Sequence, residues 1–248
     1  MIRFIENPNL PERDVNCVVC GELCDELNDY LRSKGIVRLV IEPNMLIDPA
    51  VRYHADMAAL HLGGNRIICD KKQQPLIKKL KSMGFTVTVN ATEIAGEYPR
   101  DIGLNFTLID GNLLGNFTYA DEALLCVSDA YRKINVKQGY CKCSCLVVDD
   151  KSLITDDKSI YSKASEIGLD CLLISKGDIV LEGHEYGFIG GASGKISKNV
   201  ILFFGDVTKH RDYKNIAAFI EKHGCQIEYL NFPLTDFGGI IPVTEKAP

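Results

Sequence analysis

The chain has 248 residues, 46% hydrophobic and 25% charged, with a net charge of −5 at pH 7. These values sit near globular averages and exclude disordered and fibrous classes; the acidic balance leaves no basic footprint for nucleic acid and no basic amphipathic stretch for an anionic membrane. No apolar run approaches the roughly 20 residues of a membrane span, and the N-terminal MIRFIENPNLPERD lacks the apolar core of a secretory signal, so a cytoplasmic location is expected.

In chain order, Asn16-Cys17-Val18-Val19-Cys20 reads as a strand with no hairpin partner ahead of it. A helix follows and stops at Ser33-Lys34-Gly35, where glycine supplies the left-handed conformation that ends a helix. Leu62-Gly63-Gly64-Asn65-Arg66 is a hairpin turn between strand-like runs, and the next helix stops at Ser82-Met83-Gly84. Further turns fall at Asp110-Gly111-Asn112, Asp149-Asp150-Lys151-Ser152 and Ser197-Lys198-Asn199. Further helix ends fall at Glu166-Ile167-Gly168 and Lys222-His223-Gly224. The segment Ala130-Tyr131-Arg132-Lys133-Ile134-Asn135-Val136 fits the same helix-to-strand punctuation, with Asn135 in place of glycine. Thr235 to Pro242 is a lone strand with no helix after it.

The repeated order is hairpin, helix, glycine, strand. An orphan strand at each terminus is explained if residues 236–242 pair beside residues 16–20. That arrangement closes a ring of five units and leaves few exposed edges. The expected fold class is α/β: a closed five-fold propeller of ββαβ units, with residues 1–248 in one domain. An open doubly wound sheet would favour simple β–α alternation, which the hairpins oppose. The ten cysteines mostly flank Val, Ile and Leu, as in NCVVCG, RIIC and DCLLI. They read as small core hydrophobes in a reducing compartment where disulfides rarely persist.

Several segments carry candidate chemistry. In Glu97-Tyr98-Pro99-Arg100-Asp101-Ile102-Gly103, Arg100 and Asp101 could form an ordinary loop ion pair. In Leu181-Glu182-Gly183-His184-Glu185-Tyr186-Gly187, a histidine flanked by carboxylates suits acid–base work near neutrality. His54, in Tyr53-His54-Ala55-Asp56, occupies the matching place in an earlier unit. Strand alternation would put Cys141, Cys143 and Cys145 on one face, as a nucleophile or a soft-metal ligand. Their spacing, like that of Cys17, Cys20 and Cys24, departs from the paired C-x₂-C of zinc sites, so no metal and no cofactor are assigned. The glycine-rich stretch 187–194 lacks a phosphate loop's Gly-Lys-Ser/Thr ending and precedes a strand. Its glycines suit close backbone approach to a ligand or to the ring axis.

The ring of five ββαβ units and these segments resemble the penteins, or α/β propellers. That superfamily includes arginine deiminase, agmatine deiminase, dimethylarginine hydrolase, glycine amidinotransferase and a non-catalytic ribosome-binding member. The resemblance implies that Asp101, in its Arg100-Asp101 segment, holds a substrate guanidinium. It implies that His184 is the acid–base, with Glu182 or Glu185 replacing the family's Asp. His54, Asp56 and Asp236 would line the axis beside them. The resemblance also implies a nucleophilic cysteine on the last strand, yet Phe237-Gly238-Gly239-Ile240-Ile241-Pro242-Val243-Thr244 keeps the glycines without one. Cys143 or Cys145 is the available replacement. Three readings stay open: binding of a small guanidino or amidino cation without the family's deiminase activity; a hydrolase or amidinotransferase with a relocated nucleophile; and a non-catalytic protein- or ribosome-binding factor. The sequence carries no signature of oligomeric state.

Overall fold

The computed structural model describes residues 2–247. Near the N-terminus, β1 (Ile2–Phe4) and β2 (Val15–Cys20) precede α1 (Asp25–Ser33), β3 (Val37–Val40) and the single turn α2 (Ala55–Ala58). Four units then repeat. The first is β4 (Ala59–His61), β5 (Arg66–Cys69), α3 (Gln74–Ser82) and β6 (Thr86–Val89). The second is β7 (Thr107–Ile109), β8 (Asn112–Gly115), α4 (Glu122–Val127) and β9 (Arg132–Asn135). The third is β10 (Cys145–Asp149), β11 (Ser152–Thr155), α5 (Lys158–Glu166) and β12 (Asp170–Leu173). The fourth is β13 (Ser193–Ser197), β14 (Val200–Phe203), α6 (Tyr213–Lys222) and β15 (Gln226–Tyr229), after which β16 (Ile240–Lys246) follows.

Within each of these units the first two strands form an antiparallel hairpin, and the third returns parallel to the second. The turns fall where the sequence placed them. Ile109 pairs with Asn112 across Asp110 and Gly111, whose φ angles of 48° and 69° are those of a two-residue hairpin turn. Gly35, Gly84, Gly168 and Gly224 all take positive φ just beyond the ends of α1, α3, α5 and α6.

The first sheet takes its missing strand from the other end of the chain. Its order is β1-β16-β2-β3, with Ile240 opposite Cys20, Ile241 opposite Val19 and Pro242 opposite Val18. The strand begins four residues later than the sequence suggested. Asp236 to Gly239 form a loop, because Gly238 and Gly239 take φ of 77° and 67°, outside strand geometry. β1, unforeseen, adds an edge strand on the far side of β16.

Two other expectations are corrected. Asn135 does not end a helix: α4 stops at Val127, and Arg132–Asn135 is strand β9. Only Ile134 of that strand is buried, and it lies opposite Leu114; the basic residues that suggested a helix terminus are solvent-facing strand positions. Nor do Cys141, Cys143 and Cys145 alternate along one strand. Residues 141–144 are a turn, closed by Ser144 N–H donating to the Tyr140 carbonyl and Cys145 N–H to that of Lys142. Strand β10 starts only at Cys145.

Five apolar clusters lie between consecutive sheets. The helices supply one wall of each, as with Leu76, Ile77 and Leu80 of α3 or Ile216, Phe219 and Ile220 of α6. One cluster joins the last unit to the first, setting Ile196, Leu202 and Phe204 against Val15, Val18, Leu27 and Leu31. All ten cysteines are free, and seven are buried.

His61, on β4, is buried with Nε2 2.9 Å from the Gly64 carbonyl, and burial lowers its pKa from 6.5 to about 4. The unfolded chain therefore binds the extra proton first, so the neutral imidazole supports the fold above pH 6.5 and that support disappears as pH falls towards 4. The effect is of the order of 3 kcal/mol. His61→Gln should flatten the acid-side loss of stability between pH 7 and 4.5, measured by urea unfolding. An unchanged slope would show that His61 takes up its proton in the fold as readily as in the unfolded chain.

Candidate functional site

A cavity of about 240 Å³ opens where α2, the 140–143 turn, the 181–188 loop and the Asp236 loop meet. Its polar wall is Asp48, His54, Cys143, His184, Glu185 and Asp236. Tyr140, Tyr186 and Phe188 form an aromatic wall, with Val51 and Leu181. No lysine or arginine lines it. Three carboxylates facing an aromatic wall, with two histidines but no lysine or arginine among them, make a site suited to a small cation.

Glycines allow this convergence. A Cβ at Gly191 would sit 1.9 Å from Asp236 Oδ1, and one at Gly187 would sit 2.5 Å from Asp236 Cβ. The Asp236 carboxylate fills that space and accepts hydrogen bonds from the backbone N–H groups of Phe188 and Gly238 at 2.8 and 2.9 Å. A Cβ at Gly238 would lie 2.3 Å from that of His54. Gly190 packs as closely on the carbonyls of Lys142, Cys143 and Cys145. The close backbone approach foreseen for the 187–194 stretch is thus made to the Asp236 side chain and the cysteine turn.

Asn105 ties the site together. Its Nδ2 donates to the Cys143 sulfur at 3.1 Å and to the Asp56 carbonyl at 3.2 Å, while its Oδ1 accepts from Lys142 N–H at 2.7 Å. One buried amide thereby fixes the cysteine turn against α2. His54 caps the start of α2, and Asp56 lies in its only turn. Ligating atoms of His54, Asp56 and Cys143 all lie within 4.8 Å of one another. His54 Nδ1 is 3.7 Å from Asp236 Oδ1. Neither Asp56 oxygen nor His54 Nδ1 has a hydrogen-bond partner among the described residues. Burial pushes Asp56 up to about 6, with His54 opposing and Asp236 reinforcing the shift. Burial, then the Asp56 and Asp236 charges, hold the Cys143 thiol well above its usual range.

The other expected site residues are spread more widely. His184 lines the outer part of the cavity, 44% exposed, with Nε2 3.3 Å from Asp48 Oδ2. Asp101 is buried behind Tyr140, whose hydroxyl donates to its Oδ2 at 2.8 Å; it orients a cavity-wall residue and does not itself line the cavity. Arg100 lies in a separate groove with Thr92, Pro99 and Asp121. Glu182 is exposed outside the cavity. Cys145 packs in an apolar cluster with Val147, Leu153 and Ile160, out of reach of the cavity. Sequence reading passed over Asp48, Asn105 and Tyr140. Tyr140 adjoins the cysteine run, which was the available signal; nothing local marks Asn105.

Over residues 18–241 the sequence matches a family described as a family of unknown function (DUF6873). The chain belongs to DUF6873. No curated protein sequence matches it. Its fold is similar to solved structures across nearly its whole length. SxtG, an amidinotransferase of the saxitoxin biosynthetic pathway from Microseira wollei, aligns at 12% identity and a TM-score of 0.62, over 98% of each chain. Inosamine-phosphate amidinotransferase from Streptomyces griseus aligns at 10% identity and 0.60, over 99% of this chain and 97% of that one. A mutant dimethylarginine dimethylaminohydrolase from Pseudomonas aeruginosa, complexed with citrulline, aligns at 9% and 0.55, over 88% and 92%. This DUF6873 member therefore has the pentein fold, five small sheets of three or four strands; identities this low carry the fold and not an activity.

An unpaired buried carboxylate costs stability. Asp56→Asn, in metal-free buffer at pH 7.5, should stabilise the protein by about 1–3 kcal/mol, which corresponds to several degrees in the melting curve for a chain this long. A lower melting temperature would show that Asp56 has a stabilising partner in solution.

Proposed function

We propose that this protein binds a small cation bearing a guanidinium or amidinium group in the cavity between Asp48, Glu185 and Asp236. The observation supporting this is the wall itself: three carboxylates and three aromatic rings, without a lysine or arginine. A flat, delocalised cation can donate its edge N–H groups to the carboxylates and lay its face against the rings. Asp236 is fixed by two backbone donors, so it is oriented before a ligand arrives. His184 and Asp48 at the outer part of the cavity can each exchange their mutual contact for one to the ligand. The structural neighbours are amidinotransferases and a dimethylarginine hydrolase by name, which fits a guanidino-type ligand.

A second reading is catalytic and rests on the proximity of Cys143 to His54. Thiol attack on an amidinium carbon needs a thiolate and a proton donor to the leaving amine. In this reading Cys143 is the nucleophile and His54, a ring nitrogen of which lies within 4.8 Å of the Cys143 sulfur, is the acid–base. A cation in the cavity would favour the thiolate by direct charge attraction. The last strand offers no alternative, since Ile240, Ile241 and Pro242 stand there.

Arginine, agmatine and methylated arginines should each be screened by thermal unfolding. A ligand at about 100 times its dissociation constant stabilises by about 2.7 kcal/mol, and Asp236→Asn should remove that gain. No shift with any of them, together with a clear shift from an anion, would refute the cation reading.

The primary reading also predicts no citrulline or ammonia release at rates approaching 1 s⁻¹, a common enzymatic scale. Turnover at that rate, abolished in Cys143→Ala, would establish the catalytic reading instead.

A further inference from the structure

His54, Asp56 and Cys143 come from separate parts of the chain, so no spacing motif announces them together. Their ligating atoms nevertheless fall within 4.8 Å of one another, and all three residues are at most 4% exposed. We infer that they form a binding site for a divalent metal ion of borderline softness, zinc by the chemistry of the donors. This inference is independent of the guanidino reading.

Four observations carry it. The first is the donor set: one thiol, one imidazole and one carboxylate are the ligand types zinc prefers. Among the described residues it is also the one cluster of three His, Cys, Asp or Glu residues with this mutual proximity. The second is the missing partners. Both Asp56 oxygens and His54 Nδ1 are buried without hydrogen bonds, although buried polar atoms are nearly always satisfied. A bound cation would supply what Asp56 lacks.

The third is the surrounding support. Asn105 Nδ2 donates to the Cys143 sulfur, as outer-sphere donors do to ligating thiolates, and Asp236 stands beside the His54 ring, as carboxylates do beside ligating histidines. The fourth is access. His54 and Cys143 line the cavity while Asp56 does not, so an ion would have three protein ligands on one side and a position open to the cavity. That is the arrangement of catalytic zinc sites, in which water or a ligand atom takes the fourth position.

The geometry is within reach. Zinc bonds of about 2.0–2.3 Å set tetrahedral ligand atoms roughly 3.5 Å apart, so no pair, each being within 4.8 Å, would need to close by more than about 1.3 Å on binding. The charges also balance: a thiolate and a carboxylate neutralise a divalent ion and leave Asp48, Glu185 and Asp236 for a second, organic cation. A metal here makes Cys143 a ligand, which is incompatible with its acting as a free nucleophile.

The test uses the full-length protein, stripped with a chelator and titrated with Co²⁺ and then Zn²⁺ in the absence of any guanidino compound. We expect one Co²⁺ per chain, a thiolate-to-cobalt charge-transfer band in the near ultraviolet, and displacement of that band by one equivalent of Zn²⁺. Cys143→Ser should abolish the band, while His54→Ala and Asp56→Asn should each weaken binding at least tenfold. Cys126→Ser, which removes an exposed thiol that does not line the cavity, should bind as the wild type does. Absence of stoichiometric binding by the wild type would overturn the inference whatever the variants do. So would a charge-transfer band that persists in Cys143→Ser, because it would place the ion on other cysteines. Guanidino binding measured on the stripped protein separates this outcome from the cation reading.

Discussion

The pairing of β16 between β1 and β2 is the constraint on which the site depends. It holds both ends of the chain in one sheet and fixes the register through Ile240 and Cys20. The loop just ahead of it, Asp236 to Gly239, is therefore pinned at its downstream end. A second hold comes from Gly191, whose carbonyl accepts from the N–H groups of Phe237 and Gly239 at 3.1 and 2.8 Å. A carboxylate delivered on so short a tether has little freedom. It is held against His54 on one side and the glycine-rich stretch before β13 on the other.

The fold and the site pull in opposite energetic directions. Apolar clusters between consecutive sheets supply the favourable burial, and the helices that wall them are anchored by ordinary glycine ends. The middle of the molecule instead collects groups that oppose folding: an unpaired Asp56, an imidazole with a free buried nitrogen, and Asp101 with one unsatisfied oxygen. Such groups are disfavoured when dry and alone; His54 lines the cavity, while Asp56 and Asp101 lie behind its wall.

Much of the fold was legible because its punctuation is local. The glycines at 35, 84, 168 and 224 and the turn residues Asp110 and Gly111 impose backbone conformations that few other residues accept. The exceptions have equally local causes. Asn135 looked like a helix end because basic residues precede it, yet parallel pairing with β8 claims those residues for a strand. The three alternating cysteines suggested a strand, but the carbonyl of Tyr140 bends them into a turn, and this bend sends Cys143 towards the cavity and Cys145 into the core. The site was less legible because it is a product of long-range convergence. His54, Cys143 and Asp236 lie far apart in sequence, and Asn105, which binds two of their segments together, bears no motif. Asp101, the residue with the strongest motif, contributes by fixing the Tyr140 hydroxyl.

The central claim is that the cavity of Asp48, Glu185 and Asp236 receives an organic cation. The most direct measurement is a crystal structure of the protein grown with saturating agmatine. The account predicts density in the cavity with the guanidinium nitrogens within hydrogen-bond distance of the Asp236 or Asp48 carboxylate. An empty cavity at saturating agmatine, or an anion seated against those carboxylates, would contradict it.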